Sequence, residues 1–390
     1  IRDVISRIKA LCCVEAANVA DQPAWILAAD DRLEDYPDPK WVIPVENGLV
    51  CVPPFGKGKG VELISHTPKF FSTNARPFAY DPDAPEPERW WKFLNEILPG
   101  GDEKDQIRLL QQWTAYCLTS DTRQHVMLAM IGVKRSGKST YAAILEALLG
   151  HGNVSHPPLA SFASDFGLCE LASKPLAIIS EAHMPDNADR STITENIKAI
   201  VGEDPRTMNR KYKTAITAKL PTRIMVVANR PPKFADSSNA LKARLRVVQT
   251  RRSFEGEEDR GLQDRLPAEL PGIFNWAISC LQEPYAPGQF LAQPDIPGGL
   301  LEEMWESMSP IGDFLAEDME KEAGAWVFTE DVANAFADRY PAYRNSKAYD
   351  ARSIAVEIRI VDPTIERGQK RDPRHGDKPR PILKGVRLRK

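Results

Sequence analysis

The run Gly132-Val133-Lys134-Arg135-Ser136-Gly137-Lys138-Ser139 constrains this chain more than any other feature. It satisfies the pattern G-x-x-x-x-G-K-[ST], with Thr140 following. An apolar run, Val126–Ile131, precedes it, and a helical pattern over Ser139–Leu149, closed by Gly150, comes after. That strand–loop–helix order is what phosphate binding demands. Glycines let successive backbone N–H groups turn inward, and the helix N-terminus adds partial positive charge. A lysine at position 138 can neutralise β/γ oxygens, and the Ser139 hydroxyl suits a divalent cation. Gly132, Arg135, Ser136, Gly137, Lys138, Ser139 and Thr140 are therefore read as a triphosphate cradle, with ATP and Mg²⁺ as the expected ligands.

Around this loop, strand signals at 125–131, 176–180 and 223–228 alternate with helical signals at 138–149 and 191–201. Such alternation predicts an α/β fold with a parallel-rich sheet. The second strand, Leu176–Ser180, runs into Glu181, about forty residues beyond Lys138, where a P-loop sheet delivers an acid to the metal or the attacking water. Ser180 occupies the usual aspartate position, so Glu181 is expected to serve both roles. His183 is read as a loop residue. The third strand ends at Asn229, whose amide can orient water or sense a γ-phosphate, and Pro231-Pro232 stop the strand. A helix is predicted from Asp236 into Arg246. Arg244 is the candidate for a trans-acting cation and Arg246 its alternative.

Length and composition set the frame. With 390 residues, two to three domains fit, and the absence of a long apolar run argues against a membrane protein. Six scattered cysteines without a CxxC argue against a zinc site and for a reducing cytoplasm. The net charge of −3 excludes nothing, because basic groups can converge on one channel. The start at Ile1, already amphipathic, suggests a piece of a longer polypeptide. Residues 1–89 read as a Pro- and Gly-punctuated module with a hairpin turning at Glu46-Asn47-Gly48. In it, Gly56–Gly60 is taken as a loop rather than a second phosphate cradle. Residues 90–124 are two helices, 125–255 the nucleotide core, 256–300 helices and a linker, and 301–390 a small mixed domain. Its final segment, 366–390, holds ten Lys/Arg against three acids and is read as a DNA or partner contact.

The order of these parts resembles the phage and plasmid primase–helicases, whose motor belongs to superfamily 3. The resemblance includes Asn47–Val50, His66-Thr67-Pro68, Phe70–Thr73, Tyr80-Asp81-Pro82 and Trp90–Leu94 ahead of the motor. Within the motor it includes Glu181, Lys198–Asp204 with Arg210–Lys213, Asn229 and Arg244; beyond it, Leu270–Ala277 and Ile382–Leu388. It implies a P-loop AAA+ type core, an N-terminal α+β and helical collar region, and a winged-helix-like C-terminal domain. It also implies a β-hairpin at Arg210, Lys211, Tyr212 and Lys213 that enters a central channel, where cations and one aromatic would grip single-stranded DNA. Lys138, Glu181 and Asn229 would act with Arg244 of a neighbouring subunit. The implied activity is ATP-dependent replicative helicase, a homo-oligomeric ring, expected to be a hexamer, on single-stranded and forked DNA, with a primase as partner in a bacterial cytoplasm. An ATP-switched initiator or loader and a P-loop small-molecule kinase remain the alternatives.

Overall fold

The computed structural model describes residues 23–26, 32–54, 60–99, 104–180, 190–210, 213–232, 234, 240–286, 288–301, 304, 310–344, 349–373, 376 and 378–389. Glu181, His183, Lys211, Tyr212, the glycine-rich stretch 55–59 and the N-terminal amphipathic run lie outside the described residues. The chain divides into two compact units, residues 1–232 with 244–298, and residues 233–243 with 299–390.

In the first unit, β1 (Ala24–Trp25) pairs with β5 (Phe70–Phe71), and β2 (Val42–Val45), β3 (Gly48–Cys51) and β4 (Glu62–Ile64) form an antiparallel sheet. The expected hairpin turn is real. Asn47 fixes it by donating to Tyr80 O (2.8 Å) and accepting from Tyr80 N (2.9 Å). Gly48 is needed because a Cβ there would fall 2.5 Å from Ile64 O on β4. Helices α1 (Glu88–Ile97) and α2 (Lys104–Leu118) follow.

The central sheet is α/β and wholly parallel, in the order β12-β6-β11-β8-β7, from β6 (Met127–Gly132), β7 (Val154–Ser155), β8 (Leu176–Ser180), β11 (Arg223–Ala228) and β12 (Leu245–Thr250). All of β11 is buried, as a strand covered on both faces must be. Helices α3 (Lys138–Leu149) and α5 (Arg190–Val201) and the short α4 (Asp165–Leu168) intervene. The antiparallel pair β9 (Arg206–Arg210) and β10 (Lys213–Ala218) precedes β11. The helix expected from Asp236 into Arg246 ends earlier: α6 spans Ala240–Arg244 among the described residues, which exclude Asp236, and Leu245 and Arg246 already belong to β12. Val154–Ser155 carried too short an apolar run to be read as a strand. The helical stretch 262–281 is broken into α7 (Leu262–Arg265), a 3-10 turn and α8 (Leu270–Ser279). Pro267 and Pro271 sit at the starts of the turn and of α8, where no N–H is missed.

One core unites these parts. Trp90 of α1 stacks on Tyr141 of α3 (5.8 Å, 23°) and meets Trp276 of α8 edge-on at 5.6 Å. Buried Arg76 donates to Leu118 O and Leu149 O, closing the C-terminal ends of α2 and α3. The second unit sets α9 (Pro310–Asp318), α10 (Thr329–Arg339) and α11 (Ala351–Val361) against a three-stranded antiparallel sheet. That sheet, in the order β13-β15-β14, comprises β13 (Met319–Phe328), β14 (Glu366–Asp372) and β15 (Lys378–Leu388). Phe314, Phe336, Ile354, Ile358 and Leu383 centre its core. Among the described residues no helix is long and apolar enough to cross a membrane.

Candidate nucleotide site

The loop 133–137 joins the C-terminal end of β6 to the N-terminus of α3, at the carboxyl edge of the parallel sheet where such sheets form crevices. Both glycines are explained by their neighbours. A Cβ on Gly132 would run into the carbonyl of Thr250 on β12. Gly137, at φ 86°, begins the helix in the left-handed region, and a Cβ on it would lie 2.5 Å from Ile97 Cγ2. Arg135 also takes a left-handed φ of 54°. Its carbonyl accepts from Phe254 N (2.9 Å), and its guanidinium pairs with Glu258. Ser253 Oγ donates to Lys134 O (3.0 Å), so the segment after β12 straps the loop from outside.

Lys138 is buried, and its ammonium donates to Val133 O (2.6 Å), Gly132 O (3.0 Å) and Ser136 Oγ (3.0 Å). Burial lowers its pKa below the ordinary lysine value. Ser136 Oγ in turn bonds Thr250 Oγ1 at 2.7 Å. The lysine is thus aimed along the loop by the loop's own carbonyls. Ser139 is exposed at the mouth, and Thr140 Oγ1 accepts from Gln263 Nε2 at 3.3 Å.

A cavity of about 780 Å³ opens from this loop. Residues 134–140 form one wall, and Ser180 and Asn229 enter from β8 and β11. Strand register explains the meeting: Val227 pairs with both Met130 and Ser180, and Ala228 with Ile131, so β8 and β11 end beside the last residues of β6, where the loop begins. Beside the loop Phe93, Ile97, Phe254 and Leu262 supply apolar lining, and Glu96, Glu257, Glu258 and Asp259 acidic lining. The Arg252 guanidinium covers the Phe254 ring at 4.6 Å. None of these eight was read as a site residue. Phe93 and Ile97 fell in the helix predicted before the core, and residues 254–259 at the boundary between the core and the helices after it.

The two arginines occupy different places. Arg244 Nη1 donates to Lys198 O (2.6 Å) in the last turn of α5, and Gly202 leaves room for it, since a Cβ there would lie 2.7 Å from Nη1. It does not line this cavity. Arg246 is partly buried on β12 and donates to Leu291 O, with burial lowering its pKa. Arg246→Ala is expected to destabilise the protein by about 1–3 kcal/mol in a urea melt, because Leu291 O loses a charged donor, while hydrolysis per folded molecule stays unchanged.

The residues Arg210 and Lys213 pair across β9 and β10. Glu203, at φ 60°, approaches Lys219 Nζ (4.0 Å) and hydrogen-bonds Thr122 Oγ1, tying the base of this pair to the turn ahead of β6. This tie was not legible in sequence, because Thr122 lies some eighty residues before Glu203 in the chain.

Residues 2–99 match the family described as D5 N terminal like, and residues 130–246 match a family of unknown function, DUF5906. The apo structure of the NrS-1 C-terminal region (305–718) is similar at 13% identity and TM-score 0.48, over 78% of this chain and 77% of that one. The A form of the apo NrS-1 C-terminal region is similar at 15% identity and TM-score 0.46, over 84% of this chain and 92% of that one. The D5-type match covers the segment ahead of the parallel sheet, and the second match covers most of the sheet itself.

Proposed function

We propose that the chain is the ATP-driven motor of a superfamily 3 replicative DNA helicase, with an AAA+ type core and a winged-helix-like C-terminal unit. One observation carries the reading. The G-x-x-x-x-G-K-S loop opens, between β6 and α3, into a cavity large enough for a nucleotide, and Asn229 reaches that cavity from the adjacent strand. The residues fit the ligand. Inward N–H groups and the Lys138 ammonium suit a triphosphate, and the apolar lining of Phe93, Ile97 and Phe254 suits an aromatic base.

In this reading Lys138 holds the β/γ oxygens and Ser139, with Glu181, would hold Mg²⁺, which when bound neutralises charge developing on the phosphates. Asn229 orients the attacking water. Arg244, outside its own cavity, serves the site of a neighbouring subunit in a ring, read as a hexamer. Arg210, Lys211, Tyr212 and Lys213 grip single-stranded DNA through phosphate contacts and ring stacking. A primase is the expected partner, and forked DNA the substrate.

Strand displacement on forked DNA with ATP tests this. The parent protein should unwind, and DNA should raise its ATP turnover. A Lys211→Ala/Lys213→Ala protein should keep basal hydrolysis and lose unwinding by tenfold or more, about two phosphate contacts' worth. Ring formation and DNA binding without displacement would leave an ATP-switched loader. ATP turnover indifferent to DNA would leave a small-molecule kinase. Either result ends the helicase reading.

A further inference from the structure

The second unit carries an exposed aromatic among cations, far in sequence from the nucleotide site. The sheet register β13-β15-β14 sets Trp326 beside Lys384 and Lys384 beside Glu366. Phe328, Ile382 and Gly368 make up the next row that faces the same way, and Lys370 opposite Arg380 the row beyond. The opposite face, through Val327 and Leu383, belongs to the core. Trp326 is 38% exposed although it is the largest side-chain type, and its ring meets Phe328 edge-on at 5.2 Å. The Lys370 ammonium lies 3.7 Å from the centre of that ring. Gly368 seats the second cation: a Cβ there would fall 2.5 Å from Lys384 Cε, so the lysine stem runs flat over the bare strand. Among the described residues no carboxylate forms an ion pair with Lys370 or Lys384. By contrast Arg380 is paired with Asp372 and Glu330, and Arg387 with Glu320 and Glu322.

We infer that this sheet face, Trp326 flanked by Lys370 and Lys384, is a second binding surface for single-stranded nucleic acid, separate from the β9–β10 pair. The choice of ligand follows from chemistry. Two unpaired ammonium groups on one face suit a phosphate backbone, and a flat exposed ring between them suits an unstacked base. A duplex offers phosphates but no free base face. Stacking a base on an aromatic is worth more than an exposed cation–π contact, so an incoming base displaces Lys370 from the ring and the freed ammonium moves to phosphate. Glu366, opposite Lys384, weakens the surface without neutralising it.

The test is fluorescence anisotropy of a labelled oligothymidine with the full chain, without nucleotide, over a salt series. Trp326→Ala should weaken binding about tenfold, and Trp326→Phe should restore most of it. Lys370→Ala/Lys384→Ala should reduce the log–log salt slope by about 1.4, since each single-strand phosphate contact contributes about 0.7. Thermal melts check that both proteins are folded, which the exposure of all three side chains favours. A Trp326→Ala protein that binds oligothymidine as tightly as the parent overturns the inference. So does a blunt duplex that binds equally well and suffers equally from both variants. The assay needs no ATP hydrolysis, so failure of the motor reading and failure of this surface give different results.

Discussion

Lys138→Ala protein is expected to fold and to hydrolyse ATP at least about 100-fold more slowly than the parent, the usual loss when one preorganised charged donor leaves a transition state. The structure makes the substitution severe because the other cations nearby are held elsewhere or are exposed at the wall. Arg135 is ion-paired with Glu258, Lys134 is exposed, and Arg244 is bonded to Lys198 O. The buried ammonium is held in place by Gly132 O, Val133 O and Ser136 Oγ, and it would exchange one of these acceptors for a phosphate oxygen. Truncation leaves these acceptors at the edge of an open cavity, where water reaches them, and stability should change little. Steady-state hydrolysis with a parallel thermal melt checks both halves. An unaltered rate would remove the loop from the chemistry and with it the proposed function.

Trp90→Ala should be the most destabilising single change in the first unit, by about 3–5 kcal/mol, as expected for emptying a large buried aromatic site. Trp90 is 1% exposed and ties α1 to two other helices, through Tyr141 of α3 and Trp276 of α8, while touching Phe93 on its own helix. Its loss should also be felt at the nucleotide. Phe93 and Ile97, on the same helix, line the cavity, and Ile97 packs against Gly137. Loosening α1 therefore loosens the apolar lining while leaving the phosphate loop intact. We expect KM for ATP to rise more than kcat falls. Urea denaturation and Michaelis kinetics below the transition measure the two effects separately. A melt shifted by less than about 1 kcal/mol would mean that α1 is not a structural strut.

Much of the local structure was legible because it is written in short-range pattern. The run Val126–Ile131 with Gly132–Ser139 fixed strand, loop and helix, and Leu176–Ser180 and Arg223–Ala228 were apolar enough to be strands in any context. Helix α3 ends at Gly150 as its glycine predicted, at φ 87°. Where signals were weak, reading failed for identifiable reasons. Val154–Ser155 is a two-residue strand that exists because β8 offers it a partner. Leu245 and Arg246 look helical beside Ala240–Arg244, yet pairing with Met127 and Leu128 of β6 holds them extended. Tertiary pairing overrides intrinsic propensity when backbone hydrogen bonds are at stake.

The sequence by itself determined that the glycine-rich loop 132–139 would sit between a buried strand and a helix, because glycine positions, apolar runs and caps act over a few residues. Only the tertiary structure decided what faces that loop. It brought Phe93 and Ile97 from one side, Phe254 and Leu262 from the other, and Asn229 alongside through strand register. It also decided that Arg246 supports a neighbouring carbonyl while Arg244 rests on α5. These choices depend on contacts between residues far apart in the chain, and such contacts leave no periodic trace in the order of amino acids.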